Sequence, residues 1–112
     1  MHVILQRVKE SRVEVAGQIV GNIQKGLNLL IGITASDTEE EVDWMARKCL
    51  ELRIFPDEAG KLSQSVLDIQ GALLVVSQFT LYGDCRKGRR PSFDKAAPGV
   101  IAAAIYSKMM VL

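Results

Sequence analysis

The opening residues His2 to Val8 are rich in β-formers and alternate in part, polar His2 and Gln6 against apolar Val3 and Leu5, the pattern of a half-buried strand. Val13-Glu14-Val15 and Ile19-Val20 flank the turn signal Ala16-Gly17-Gln18, so a hairpin follows. Lys25-Gly26 marks another turn before Leu27 to Ile33, a largely apolar run of strand length, with Asn28 inside it and a Gly near its end, that predicts burial on both faces and a central place in a sheet. Ser36, with Glu39 three residues on, reads as a capping box, and the acidic first turn suits the positive end of a helix dipole. Val42, Met45, Cys49 and Leu52 then recur at helical spacing, with Arg47, Lys48 and Glu51 elsewhere, which predicts a helix packed on a sheet by one face.

Arg53 to Phe55 has the composition of a short strand, closed by the turn-rich Pro56 to Gly60. Ala72 to Val76 is a second buried apolar strand, and it runs into Ser77-Gln78-Phe79-Thr80-Leu81, where polarity appears abruptly at the strand's end. A loop from Gly83 to Ser92 leads to Pro98-Gly99, after which the Ala-rich Val100 to Leu112 reads as a second helix. Locally paired strands with two covering helices predict an α/β domain whose sheet is mixed. The chain of 112 residues is long enough for one domain, 1–112, with one core.

Composition narrows the class. Apolar residues make up 48% and charged residues 24%, as in an ordinary globular domain. No apolar stretch approaches the ~20 residues a spanning helix needs, and no signal-peptide pattern opens the chain, so the cytoplasm is the expected compartment, with no membrane partner. Cys49 falls on an apolar helix face and Cys85 in a polar loop, so no disulfide is expected. The net charge of +1 conceals segregation: Asp37, Glu39, Glu40, Glu41 and Asp43 cluster in one place, Arg86, Lys87, Arg89 and Arg90 in another. The basic loop has the composition of a phosphate contact surface and equally of a solvated loop.

His2 is the only histidine. That disfavours a Ser-His-Asp or Cys-His site, and no ligand spacing points to a metal. There is no Gly-rich dinucleotide fingerprint after the first strand and no Walker-type phosphate loop. Ser77 to Thr80 would supply hydroxyls, an amide side chain and backbone N–H groups where a strand ends, which are the parts of an oxyanion-binding site; the same residues also suit a capped turn.

Leu5-Gln6-Arg7-Val8, Leu52-Arg53-Ile54-Phe55, and above all Val75-Val76-Ser77-Gln78-Phe79-Thr80-Leu81 followed by Lys87-Gly88-Arg89-Arg90-Pro91-Ser92-Phe93 resemble, in order, the D-aminoacyl-tRNA deacylase family. The resemblance implies that family's fold, with mixed, barrel-like sheets and two covering helices. It implies hydrolysis of the ester between a D-amino acid, or glycine mischarged on tRNA-Ala, and the 3′ end of tRNA, as chiral proofreading in translation. A homodimer with active sites at the interface, and no metal or organic cofactor, are also implied. By match to the motif, Ser77, Gln78, Phe79 and Thr80 line the pocket for the tRNA 3′ end, with Phe79 and Thr80 carrying the chemistry and Ser77 and Gln78 binding substrate. Arg7 matches the family's early arginine and props the pocket wall, while Arg86, Lys87, Arg89 and Arg90 bind tRNA. One view of the family makes the Thr80 hydroxyl the nucleophile; another gives the work to backbone donors and the RNA's own 2′-hydroxyl.

The family's second signature, a Gly-Pro pair in an Asn-x-Gly-Pro-x-Thr block that rejects L-amino acids from the partner's pocket, normally follows the second helix. This sequence stops at Met109-Met110-Val111-Leu112, inside an apolar helical pattern. Two expectations follow: an enzyme whose C-terminal segment is absent from this chain, or a truncated relative that binds RNA or dimerises without catalysing.

Overall fold

A computed structural model describes residues 1–110, with side chains at all of these except 104 and 106–110; Val111 and Leu112, the expected end of the second helix, lie outside the described residues. The elements are β1 (His2–Val8), β2 (Ser11–Val15), β3 (Gln18–Ile23), β4 (Gly26–Gly32), α1 (Glu39–Glu51), β5 (Phe55–Pro56), β6 (Leu62–Gln64), β7 (Ala72–Ser77), a 3-10 turn (Phe79–Tyr82) and α2 (Gly99–Met110). Strands β1, β4 and β7 form one sheet with β4 in the middle, as its apolar run predicts. The Ala72 N–H donates to Lys25 O and the Gln78 N–H to Ile31 O. Both bonds join residues with the same offset in sequence, which is the register of parallel strands. The hairpins β2–β3 and β5–β6 are antiparallel. The fold is therefore mixed α/β. No helix among the described residues is long and apolar enough to cross a membrane.

The chain groups into two compact units. One comprises Met1–Val3, Leu30–Ala46 and the chain from Ser77 onward. Ile31, Ile33, Val42, Ala46 and Ala97 are buried in it. Its connection between β4 and α1 is held by Asp37, whose carboxylate accepts from the N-terminal ammonium at 2.7 Å and from the Thr34 N–H at 2.9 Å. Burial pushes the Asp37 carboxyl up, but the ammonium and the Thr34 N–H outweigh it and hold it below the usual carboxylate range. The predicted cap at Ser36 is corrected by two residues: the Glu41 N–H donates to Thr38 Oγ1 and α1 begins at Glu39. Thr38 and Glu41 repeat the Ser36 and Glu39 spacing, so two overlapping capping boxes stand in the sequence, and the claim of Thr34 and the N-terminus on Asp37 selects the later one.

The other unit comprises Ile4–Leu29 and Arg47–Val76, with Leu27, Leu29, Cys49, Phe55 and Val66 buried. Ala16 (φ 51°) and Gly17 (φ 80°) form the β2–β3 turn with both residues at positive φ, the twist that suits a two-residue hairpin. The strand expected at Arg53 to Phe55 is shifted to Phe55–Pro56 and pairs with β6, which no alternation announced because it is only three residues long. Asp57 closes this hairpin, accepting from the Ala59 and Lys61 N–H groups and from Ser63 Oγ. Strand β7 is half-buried along most of its length rather than buried, consistent with its place at the side of the three-stranded sheet.

Candidate active site

Strand β7 ends at Ser77, and the chain then turns on backbone hydrogen bonds. The Gln78 N–H donates to Ile31 O at 2.7 Å, the Leu81 N–H to Gln78 O at 3.3 Å, and the Gly83 N–H to Thr80 O at 2.9 Å. The resulting 3-10 turn rests on Gly32 at the end of β4. A Cβ at Gly32 would lie 2.8 Å from Leu81 Cβ, 3.2 Å from Tyr82 Cδ2 and 3.3 Å from Gln78 O, so only glycine lets the turn sit this close. The first N–H groups of such a turn, on Phe79 and Thr80, have no acceptor within it. Gln78 precedes the turn without capping it by its side chain.

The turn forms one wall of a groove of about 580 Å³. Ser77 and Phe79 line that wall; Phe93, Ala96 and Ala97 line the next, and the small residues Gly99 and Ala102 close it from the start of α2. The Ala97 N–H donates to Ile33 O at 2.8 Å and Thr34 Oγ1 donates to Lys95 O at 2.6 Å, which ties the 93–97 segment to the end of β4. Phe79 and Phe93 meet edge to face with centroids 5.1 Å apart, and Phe79 remains 57% exposed. An exposed aromatic at a groove lined by small apolar residues is a platform for a flat ring. Among the described residues, no histidine and no carboxylate lines the groove.

The basic loop is pinched shut by a pair of backbone bonds between Asp84 and Ser92, at 2.7 and 2.8 Å, with Gly88 (φ 66°) near its tip. Lys87, Arg89 and Arg90 are exposed. Arg86 is also exposed but its guanidinium is held by Asp84, Nε to Oδ1 at 2.9 Å and Nη2 to Oδ2 at 2.8 Å. The Arg86 guanidinium in turn holds the Asp84 carboxyl below the usual range.

Residues 4–112 match the family model for D-Tyr-tRNA(Tyr) deacylase. The chain belongs to that family. A D-aminoacyl-tRNA deacylase of Acaryochloris marina is 77% identical over 98% of this chain and 73% of its own length. A protein of the same name from Clostridium kluyveri is 57% identical, again over 98% of this chain and 74% of its own. Among solved structures, a c-Myc DNA unwinding element binding protein superposes with a TM-score of 0.91 at 41% identity, covering 97% of this chain and 73% of that one. A probable eukaryotic D-amino acid tRNA deacylase at 22% identity has a TM-score of 0.82, over 96% of this chain and 63% of that one, and shares the fold.

Of the residues matched to the deacylase motif, Ser77 and Phe79 line the groove, while Gln78 and Thr80 shape the turn through their backbones. Thr80 is exposed beside Phe79 but does not line the groove. Arg7 belongs to the other unit, where its Nη1 donates to Ile54 O at 2.8 Å; it braces the segment before β5. His2 and Tyr82 had no role in the motif. They stack with centroids 4.2 Å apart and planes 8° from parallel, and His2 Nδ1 lies 3.2 Å from Leu81 O, so that nitrogen carries the hydrogen. Alternation along β1 marks His2 only as an exposed strand residue; a contact across most of the chain leaves no local signal.

Proposed function

We propose that the groove receives the 3′-terminal adenosine and amino acid of a D-aminoacyl-tRNA and hydrolyses the ester between them, releasing free D-amino acid and tRNA. The observation that carries this reading is the 3-10 turn at Phe79–Tyr82: it presents an exposed aromatic to a groove of adenosine scale and begins with two backbone N–H groups that the Gln78 side chain does not cap. Phe79 stacks on the adenine, and the Phe79 and Thr80 N–H groups stabilise the tetrahedral oxyanion that forms when water attacks the ester carbonyl. The groove lining holds no histidine or carboxylate to act as base among the described residues, which favours a substrate that assists its own cleavage. The 2′-hydroxyl beside a 3′-aminoacyl ester is positioned to relay the proton, so that orientation replaces a protein base. Ser77 and Gln78 bind the terminal nucleotide, and Lys87, Arg89 and Arg90 contact phosphates further along the RNA.

The same groove accepts glycine mischarged on tRNA-Ala, because a substrate without a side chain offers nothing for a chiral filter to reject. The protein works in the cytoplasm as a homodimer with its sites at the interface, clearing D-amino acids from tRNA before translation. The test is Thr80→Ala assayed with D-tyrosyl-tRNA, beside the parent assayed with tRNA ending in 2′-deoxyadenosine. Substantial activity in Thr80→Ala and a large loss on the 2′-deoxy substrate are expected. An acyl-enzyme trapped on Thr80, with full turnover of the 2′-deoxy substrate, would refute the mechanism.

A further inference from the structure

We infer that a second cleft, built on the same 3-10 turn as the groove, is the binding subsite for the nucleotide immediately upstream of the terminal adenosine. This inference rests on the reading of the groove just given. The cleft measures about 460 Å³ and is bordered by His2, the 81–86 segment and Lys95.

Two chain segments serve both spaces. Within the turn, Phe79 faces the groove while Leu81 and Tyr82 face the cleft; in the segment that follows the basic loop, Phe93, Ala96 and Ala97 line the groove while Lys95 lines the cleft. A strand of RNA whose last base lies against Phe79 therefore has its preceding nucleotide beside the cleft, one covalent link away.

The chemistry of the cleft suits that occupant. The His2–Tyr82 stack is nearly parallel and His2 stays exposed, which makes a flat platform for a base. Burial, and then the Asp37 and Glu41 carboxylates, push the Tyr82 phenol above its ordinary range, so it remains a neutral donor at physiological pH. Asp84 is held by its two bonds to Arg86 and also feels the charge of Lys95, so the cleft lining sets two cations, Arg86 and Lys95, against one carboxylate. The Lys95 backbone carbonyl is fixed by Thr34 while its exposed ammonium is available for a phosphate. A stacking pair beside a lysine is the arrangement by which proteins hold single-stranded nucleic acid without reading its sequence.

The experiment compares the parent with Lys95→Gln, His2→Leu and the double variant. Substrates are D-tyrosyl-tRNA and D-tyrosyl-adenosine, which ends before the cleft. With tRNA, the double variant should raise KM about tenfold, and Lys95→Gln should lower the salt slope of kcat/KM by about 0.7, the share of one single-strand phosphate that is no longer neutralised. With D-tyrosyl-adenosine, rates should stay within about twofold of the parent. Unchanged KM and salt slope on tRNA would overturn the subsite, as would an equal loss on both substrates, which would mean that His2 and Lys95 only shape the groove. A binding measurement with a short RNA ending in CCA and carrying a non-hydrolysable D-tyrosyl amide separates the two readings. Absence of turnover by the parent would count against the hydrolase, whereas equal affinity of parent and double variant for this RNA would count against the subsite.

Discussion

Replacing Gly32 by alanine tests whether the position of the 3-10 turn, rather than any one side chain, sets the activity. The added Cβ would stand 2.8 Å from Leu81 Cβ, an atom fixed to the backbone that cannot swing away. Carbon atoms rest about 3.5–4.0 Å apart, so the turn must retreat by about 1 Å. Overpacking of this kind costs about 1–3 kcal/mol, which for a domain near 100 residues lowers Tm by about 4–12 °C and leaves the protein folded at 25 °C. The turn carries the proposed oxyanion donors, and a misplacement of about 1 Å costs on the order of 100-fold in rate. The assay is single-turnover hydrolysis of D-tyrosyl-tRNA at 25 °C beside a thermal melt of the same sample. Gly21→Ala is the control, since its Cβ would meet only the end of the flexible Leu74 side chain, at 3.2 Å. A Gly32→Ala protein that melts lower yet turns over at the parental rate would refute the idea that turn geometry governs catalysis.

Changing Lys87, Arg89 and Arg90 together to alanine should weaken tRNA binding across sequences and flatten its salt dependence by about 0.7 for each phosphate left without a cation; an unchanged slope would make the loop a solvated surface. Arg86→Ala should have a smaller effect on the slope than any of those three, because Arg86 already spends two donors on Asp84. Asp57 has its carboxyl held below the usual range by the Ser63 hydroxyl and the Lys61 N–H, so its contribution to stability is present above the unfolded carboxyl range and fades as pH falls through the folded value. The Tm gap between the parent and Asp57→Ala should therefore be full at pH 7 and narrow below about pH 4; a gap independent of pH would argue against the charge. Cys85 is exposed while Cys49 is buried, with its thiol pushed up by that burial. A thiol reagent should modify Cys85 alone in the native protein and both cysteines after denaturation.

Much of this fold was legible in local pattern. The largely apolar run at Leu27 to Ile33 announced a central strand, because a strand covered on both faces and lateral edges needs no regular alternation; Asn28 is its one polar side chain. Val42 and Cys49, at helical spacing, are buried as their period predicts, with Met45 and Leu52 half-buried at the margins of that stripe. The abrupt polarity at Ser77 to Thr80 located the end of β7, and the order of motifs along the chain pointed to the family.

Pairings between residues distant in sequence were decided by tertiary structure alone. Two capping boxes of equal quality stood at Ser36 and Thr38, and the choice depended on Asp37 being claimed by Met1 and Thr34. Nothing near Arg7 foretold that its guanidinium would bond Ile54 O. The basic loop looked uniform in sequence, yet Asp84 binds Arg86 and sets it apart from Lys87, Arg89 and Arg90. His2 and Tyr82 become one stack only because the start of β1 and the 3-10 turn meet in the folded unit. Periodicity reports which side of an element is buried, since that depends on neighbours three or four residues away; which other element comes to meet it depends on the whole chain's closure.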